Sequence, residues 1–273
     1  LEHLQAAGQG SPAAYAMVTE GAIGLTVAAM RGMLASVHVQ ELGCGVIRGL
    51  SHAVPTSRDE IVAAGGIDAV LVAAQTYQGD AAVQEQVCGA LGNLAHASPK
   101  SLAAVVESGG VGTALTAMFA HPGSARVQRQ GLVALLNMAN DPGARAHVLC
   151  MGGCDGVLAA MQRHRPDALT QELGCGCVRN LAADLEARTV LVGRGATDVV
   201  LEAMVLHAET MAVQLQGCGA LGNLCRNDDD CKRRIGARGI RAALAAVTGF
   251  ESPPLAEEAV TTLANLVGVG GDL

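Results

Sequence analysis

The cysteines are the residues of this sequence with the most obvious capacity for chemistry, and there are nine of them. Three close pairs could contribute to a metal site: Cys150 and Cys154, Cys175 and Cys177, and Cys225 and Cys231. A structural zinc site needs four ligands, which usually come as two close pairs. Helix residues two apart point to different sides, so Cys175 and Cys177 are poorly placed to hold one ion. We therefore predict no metal site and no cofactor.

Residues for nucleophilic or acid–base catalysis do not form a recognisable pattern either. The eight histidines are scattered, and no Ser/His/Asp or Cys/His arrangement follows from their spacing. The Gly-Cys-Gly sequences lie inside predicted helices, where the backbone N–H groups are already bonded and cannot cradle a phosphate. The sequence therefore predicts a protein without enzymatic activity.

Charge and hydropathy narrow the possible partners. The formal net charge is -7 and is spread along the chain, whereas nucleic-acid binding needs a basic stripe. No apolar run reaches the roughly 18 residues that a membrane span requires. We expect a protein or peptide partner, with neither nucleic acid nor a membrane span. The chain begins at Leu1 without an initiator Met, and we expect it to be part of a longer chain or assembly.

A motif beginning Val39-Gln-Glu-Leu-Gly-Cys-Gly recurs along the whole sequence. Its glutamine reappears at regular intervals, and a weaker sixth copy has alanine there: Gln40, Gln84, Gln128, Gln171, Gln214 and Ala256, with spacings of 44, 44, 43, 43 and 42. A fixed period in this range is typical of stacked helical repeats. We predict six repeats, at approximately 11–53, 54–96, 97–140, 141–183, 184–226 and 227–268.

Each repeat has the same internal plan. A short first helix leads to a glycine corner, then come a second helix, a polar loop and a third helix that carries the motif. The predicted corners are Gly66, Gly110, Gly153, Gly195 and Gly239, because glycine accepts the positive φ that lets one helix stop and the next begin at a steep angle. No useful strand-type alternation is present, so the predicted class is all-α.

Small residues recur inside the third helices at fixed positions. One glycine position is shared by Gly43, Gly131, Gly174 and Gly217, and another by Gly45, Gly89, Gly176 and Gly219. Each glycine costs about 1 kcal/mol relative to alanine, which favours close packing of a neighbouring helix or an open groove floor over drift toward small residues. Four cysteines also share one position, Cys44, Cys88, Cys175 and Cys218. We interpret them as buried small hydrophobes of an intracellular, reducing compartment, most consistent with the cytoplasm.

The period, the three-helix unit, the glycine corner and a third helix ending in Leu-x-Asn-Leu together resemble armadillo repeat proteins. The resemblance covers Pro12 to Val267, and six copies in register make it specific. It implies a right-handed α-solenoid whose third helices line a concave face. It also implies that an asparagine near the end of each third helix grips the backbone of an extended partner segment. The matching residues are Asn93, Asn137, Asn180, Asn223 and Asn265, with Gly49 in the first repeat.

The asparagine row leaves two interpretations open. A side-chain amide has both donors and an acceptor, so it can pair with a peptide group without reading side chains. Alternatively, each asparagine bonds to the loops of its own solenoid. Arg48 and Arg179 precede the asparagine position and could reach the groove to pair with acidic groups of the partner.

One departure from the family pattern concerns tryptophan. Nuclear import adaptors of this family carry it one turn before the asparagine, as slots for lysine stems. The matching residues here are Gly45, Gly89, Val133, Gly176, Gly219 and Thr261, and the chain contains no Trp. Binding of basic localisation signals by that mechanism is therefore not expected.

Two functions remain as hypotheses. The first is a protein-interaction scaffold that binds an extended segment along the concave face. The second is a structural subunit or spacer of a large assembly, contacted through its convex face or its ends. Apolar residues at both ends, Leu1 and Leu4 and then Leu263, Leu266 and Val267, favour continuation into more chain or a partner.

Overall fold

A computed structural model describes residues 12–226 and 228–267, without the side chain of Asp230. Throughout these two ranges the regular structure is helical, with no strand. By its internal contacts the chain divides into two compact units, Leu1–His147 and Val148–Leu273. Each unit is described below by itself. The predicted repeat boundaries stay a prediction, while Leu1 and Leu4 lie outside the described residues.

The first unit contains three helix triplets and the start of a further helix. The helices are α1 (Pro12–Thr19), α2 (Ala22–Gly32), α3 (Val37–Ala53), α4 (Ser57–Ala63), α5 (Gly66–Thr76), α6 (Ala81–Ala95), α7 (Pro99–Glu107), α8 (Gly110–Ala120) and α9 (Ala125–Met138). The third helices α3, α6 and α9 pack side by side, and the second helices α2, α5 and α8 form a layer against them.

The boundary between the units falls within α10 (Pro142–Cys150). The second unit continues with α11 (Gly153–Arg163), α12 (Ala168–Leu181), α13 (Leu185–Gly193), α14 (Ala196–Leu206), α15 (Met211–Leu224), α16 (Asp229–Gly249) and α17 (Pro253–Val267). Here α12, α15 and α17 are the third helices, packed side by side with α14 behind α15. The prediction of an all-α fold is confirmed.

The third helices begin where their sequences supply a capping side chain. Four of them follow a serine or aspartate whose oxygen accepts a hydrogen bond from a first-turn N–H; the caps are Ser36, Asp80, Ser124 and Asp167. Such a cap satisfies one of the amide groups that a helix start leaves unpaired.

The glycine corners differ in detail from the prediction. The left-handed residue is the first glycine of each pair, Gly65, Gly109 and Gly152, with φ of 77°, 89° and 80°. The second glycine is needed for space, because a Cβ on Gly66 would lie 2.5 Å from Ile61 Cγ2 and 2.9 Å from the Ile61 carbonyl oxygen. Gly195 is itself left-handed, as predicted, at φ 81°.

The sixth corner was placed wrongly by the sequence pattern. We predicted it at Gly239, but the positive φ of this repeat is at Gly236, inside α16, at 46°. The residue before Gly239 is Arg238 rather than a second glycine. A left-handed conformation is costly for any residue with a Cβ, so the break moves to the nearest glycine. The range given for α16 therefore contains the first two helices of this repeat, which meet at a kink at Gly236.

The recurring glutamine holds each second helix to its third helix. Gln128 Nε2 donates to the carbonyl oxygens of Met118 at 2.7 Å and His121 at 3.0 Å, at the end of α8. The same pair of bonds is made by Gln40, Gln84, Gln171 and Gln214. Helix ends leave carbonyl groups without intrahelical partners, so the glutamine satisfies buried groups that water cannot reach.

The first glycine position in the third helices receives a methionine of the second helix. A Cβ on Gly131 would lie 2.3 Å from Met118 Cγ, and Gly43, Gly174 and Gly217 meet Met30, Met161 and Met204 in the same way. In the second repeat the large and the small side chain are exchanged between the two helices. Ala74 takes the place of the methionine and Val87 that of the glycine, and both are buried. The packing interpretation of this glycine position is therefore confirmed.

Within the described ranges, no single helix is both long and apolar enough to cross a membrane. Two bent helix pairs pass that test by length and composition only when taken together: α1 with α2, and α7 with α8.

We expect Gln128→Ala to lower the free energy of unfolding by about 2 kcal/mol, because it leaves two carbonyl groups without their bonds, each worth about 1 kcal/mol. Urea denaturation followed by circular dichroism measures this. The matched control is Gln130→Ala on the same helix, whose half-buried side chain has no hydrogen bond to another described residue. Equal losses for the two variants would contradict the role of Gln128.

Gly131→Val should destabilise the fold by about 2 kcal/mol, because overpacking forces Met118 out of its site. Met118→Ala alone should cost about 3 kcal/mol as a cavity. The double variant recreates the arrangement of Ala74 and Val87, and we expect it to lose at least about 2 kcal/mol less than the sum of the single variants. Additive losses in the same denaturation experiment would show that the two positions do not share one space.

Candidate functional site

The candidate site is the surface that the third helices present in each unit. We call it the third-helix face: α3, α6 and α9 in the first unit, and α12, α15 and α17 in the second. All five asparagines that the resemblance implied lie on these helices, and all five are half-buried. Arg48 and Arg179 lie there too and are also half-buried. The predicted residues are thus brought onto one kind of surface within each unit.

The asparagines bond across to the preceding third helix. Asn93 Nδ2 donates to the Arg48 carbonyl oxygen at 2.9 Å, and Asn137 Nδ2 to that of Gly92 at 2.8 Å. In the second unit, Asn223 Nδ2 donates to the Arg179 carbonyl oxygen at 2.9 Å and Asn265 Nδ2 to that of Gly222 at 3.2 Å. In all four cases the acceptor is the residue one position before the asparagine site of the preceding repeat.

These bonds give the asparagines a part in the stacking of repeats, through helix carbonyls rather than loops. They do not use the whole amide, because it carries two N–H donors and an oxygen that accepts. A half-buried amide fixed at one donor is held in a defined orientation, and its remaining groups keep the capacity to pair with a peptide. Binding by these residues, including Asn180 on α12, stays a prediction.

Arg48 crosses from α3 to α6 and lies over Gly89. A Cβ on Gly89 would be 2.6 Å from both Cδ and Nε of Arg48 and 3.0 Å from its Cζ. At its edge, the guanidinium donates from Nη1 to Gln86 Oε1 at 3.2 Å and lies 3.6 Å from Glu85 Oε1. Gly89 is therefore required by the side chain of the preceding repeat.

Arg179 repeats this arrangement in the second unit. It crosses from α12 to α15, where a Cβ on Gly219 would lie 2.6 Å from its Nε and 3.1 Å from its Cζ. Its Nη2 is paired with the carboxylate of Glu258 on α17. At Gly89 and Gly219, the second glycine position of the third helices therefore leaves the space that an arginine side chain of the preceding repeat occupies.

Charged contacts span the three third helices in each unit. In the first unit, Glu85 on α6 lies between Arg48 on α3 and Arg126 on α9, at 3.6 and 3.9 Å. In the second unit, Arg179 passes over α15 to reach Glu258. Sequence reasoning missed Glu85, Arg126 and Glu258. A signal for the arginine contacts was available in the sequence. Arg48 precedes Gly89, and Arg179 precedes Gly219, by about one helical turn less than a full repeat.

The cysteines behave as core residues. Cys44, Cys88, Cys175 and Cys218 are completely buried, and all nine thiols are free. Burial raises the pKa of the Cys88 thiol to about 12, so the group stays protonated and unreactive. Among the residues that the structure describes, no three His, Cys, Asp or Glu side chains converge in a way that could hold a metal ion.

Comparisons with known proteins agree with this geometry. Residues 55–96 match the Armadillo/beta-catenin-like repeat family. The fold is that of an armadillo-repeat protein. A designed armadillo repeat protein solved with the peptide (KR)4 superposes with a TM-score of 0.75 at 12% identity, covering 89% of this chain and 99% of that one. No curated protein matches the chain at a significant level.

Two further structures have the same armadillo arrangement. An engineered protein has a TM-score of 0.78 at 20% identity, covering 92% of this chain and 98% of its own. A chain from a structure of the interaction between cadherin and beta-catenin has a TM-score of 0.78 at 16% identity, covering 93% and 46%. The expectation of an armadillo-type solenoid is confirmed. The armadillo fold is a protein-interaction scaffold.

We expect Asn137→Ala and Asn223→Ala each to lower the free energy of unfolding by about 1 kcal/mol, because each removes one part-buried hydrogen bond between repeats. Gln130→Ala and Gln216→Ala, on the same two helices, are the matched controls and should change it by less than about 0.5 kcal/mol. Urea denaturation measures these free energies of unfolding. If the asparagine variants lose no more stability than the controls, these amides do not hold the repeats together.

Proposed function

We propose that this protein is a non-enzymatic scaffold that binds an extended segment of a partner protein along the third-helix face of its units. The residues that we assign to binding are Asn93, Asn137, Asn180, Asn223, Asn265, Arg48 and Arg179. The row of oriented, half-buried amides is the observation that carries the proposal. An extended chain has unpaired N–H and C=O groups along its length, and such a row offers partners for them.

The lining of this face supports a polar main-chain mode of binding. The asparagine amides and the paired arginines are accompanied by small or aliphatic side chains such as Val133 and Leu215, both half-buried. Main-chain pairing supplies affinity, while side-chain contacts beside it supply selectivity. The structural relative solved with (KR)4 shares the fold. The net charge of -7 on our chain favours a protein partner over nucleic acid.

A second candidate function has its own support on the outer helices. Large apolar side chains are exposed on the second helices, among them Leu25 at 71%, Val205 at 74% and Phe119 at 54%. A cavity of about 580 Å³ also opens between α14 and α16, beside Val205 and Phe250. Exposed apolar surface marks contact sites, and this pattern fits a subunit of an assembly that is held through its outer side. Val267 at the end of the third helix α17 is also exposed, at 68%.

The free thiols bear on where this function takes place. All nine cysteines are unpaired, and we propose that the protein works in a reducing, intracellular compartment. Probing free thiols with a labelling reagent directly after rapid denaturation of intact cells would show nine labelled cysteines, whereas disulfides would contradict this assignment.

Site-specific photo-crosslinking separates the two functions. Benzoyl-phenylalanine replaces Val133 or Leu215 on the third-helix face, or Val72 or Val205 on the second helices as matched controls, in cells that make the protein. We expect a partner segment to crosslink from Val133 in the first unit and from Leu215 in the second, but not from the controls. We also expect Asn137→Ala with Asn223→Ala to weaken binding at each unit about fivefold, since each unit loses one bond worth roughly 1 kcal/mol.

Crosslinks from Val72 and Val205 alone would contradict groove binding and support the assembly subunit. The unfolding measurements on the asparagine variants keep the result interpretable, because binding is compared at a temperature at which every variant is folded.

A further inference from the structure

The guanidinium groups of Arg48 and Arg179 lie flat on the neighbouring third helix. We call each of these flat guanidinium groups a plate. Cδ, Nε and Cζ of Arg48 all lie within 2.6–3.0 Å of the Cβ position on Gly89, and the same atoms of Arg179 lie within 2.6–3.1 Å of that on Gly219. Three consecutive atoms at nearly equal distance mean that the guanidinium end runs parallel to the helix surface. One face of each plate is therefore covered by glycine backbone.

One terminal nitrogen of each guanidinium is already paired. Arg48 directs Nη1 to Gln86 and Glu85, and Arg179 directs Nη2 to Glu258. A carboxylate beside each guanidinium largely cancels its charge at a distance, so neither plate attracts an acidic partner strongly. The side chains nevertheless remain 29% and 34% exposed. Besides the N–H groups of the other nitrogens, each arginine offers a partner the planar face that points away from the glycine.

A planar guanidinium face has a specific chemical preference. Aromatic rings stack on it through their electron-rich faces, and such stacking does not need the N–H groups at the edge. The ion pairs even help, because they fix the plate so that little side-chain freedom is lost when a ring stacks.

Among the described residues, no Tyr or Phe lies on the third helices. The chain has two tyrosines, two phenylalanines and no Trp. All four of them, Tyr15, Tyr77, Phe119 and Phe250, lie outside the third helices. We therefore infer that a Tyr, Phe or Trp ring stacked on Arg48 or Arg179 comes from a partner.

We propose that aromatic side chains of the bound segment stack on Arg48 and Arg179, which thereby determine specificity. This inference rests on the proposed binding of an extended segment along the third-helix face. The plate recurs once in each three-repeat unit, so the preferred partner carries aromatic residues in its extended segments. A partner that binds the arginines through its own carboxylates has to share each guanidinium with Glu85 or Glu258.

Blocked ten-residue peptides with serine at alternate positions provide the test, with tyrosine, glutamate, lysine or alanine at the others. Binding to the whole protein is measured by fluorescence anisotropy. We expect the tyrosine peptide to bind most tightly. We also expect Arg48→Met with Arg179→Met to weaken it about threefold, because each unit loses one stacking position. Arg194→Met, at an exposed arginine paired with Asp155 away from the third helices, is the matched control and should leave binding unchanged.

A direct readout accompanies the affinities. In an NMR spectrum of arginine Nε–Hε groups, a ring stacked on the plate shifts the Hε resonances of Arg48 and Arg179 upfield. The alanine peptide should produce no such shift. Circular dichroism confirms that the methionine variants remain folded, and the alanine peptide should bind them as it binds the wild type.

The outcomes separate this inference from the function on which it rests. A glutamate or lysine peptide that binds most tightly would overturn the aromatic preference. Equal affinities of the tyrosine and alanine peptides, both weakened by Asn137→Ala with Asn223→Ala, would overturn the inference and leave groove binding intact. Absence of binding by all four peptides would overturn both.

Discussion

The structure depends first on one amide group, the side chain of the glutamine at the start of each third helix. In five repeats it donates two hydrogen bonds to the carboxyl end of the second helix, from a position that is at most 3% exposed. This interaction sets the angle and height at which the two helices meet. Where the sequence has Ala256 instead, the repeat lacks the clamp. It is also the repeat in which the first two helices meet at a kink at Gly236.

Volume exchange between neighbouring helices completes the packing that the glutamine begins. Because aromatic residues make up only 1% of the chain, close approach has to be achieved with methionine against glycine, or alanine against valine. Interiors are packed densely enough that one methyl group is felt. The glycines within the third helices are therefore tolerated despite their cost in helix propensity, since a neighbouring side chain occupies the space above them.

Stability and recognition use the same residues on the third-helix face. The asparagines join repeats through one donor of each amide and orient the rest of it, while the arginines lie over glycine and are tied by Glu85 and Glu258. A surface organised in this way is rigid before a partner arrives, which lowers the ordering cost of binding. The arginine plate occurs in the first and fourth repeats, and the motifs of these two repeats are also similar, VQELGCGVIRGL and TQELGCGCVRNL.

The sequence by itself determined the helical class, the order of the helices and the faces that asparagine and arginine occupy. The signals were the period of the glutamine, the glycine corners and the capping residues. They were sufficient because these features depend on local periodicity and backbone preference. Tertiary structure decided what those residues touch. That Gly89 and Gly219 leave the space that an arginine occupies, that Glu85 and Glu258 hold the guanidinium edges, and that the asparagines bond to helix carbonyls all depend on residues about 40 positions apart. The shift of the last corner from Gly239 to Gly236 likewise followed from Arg238, whose Cβ disfavours the left-handed conformation that a single-position motif had assigned.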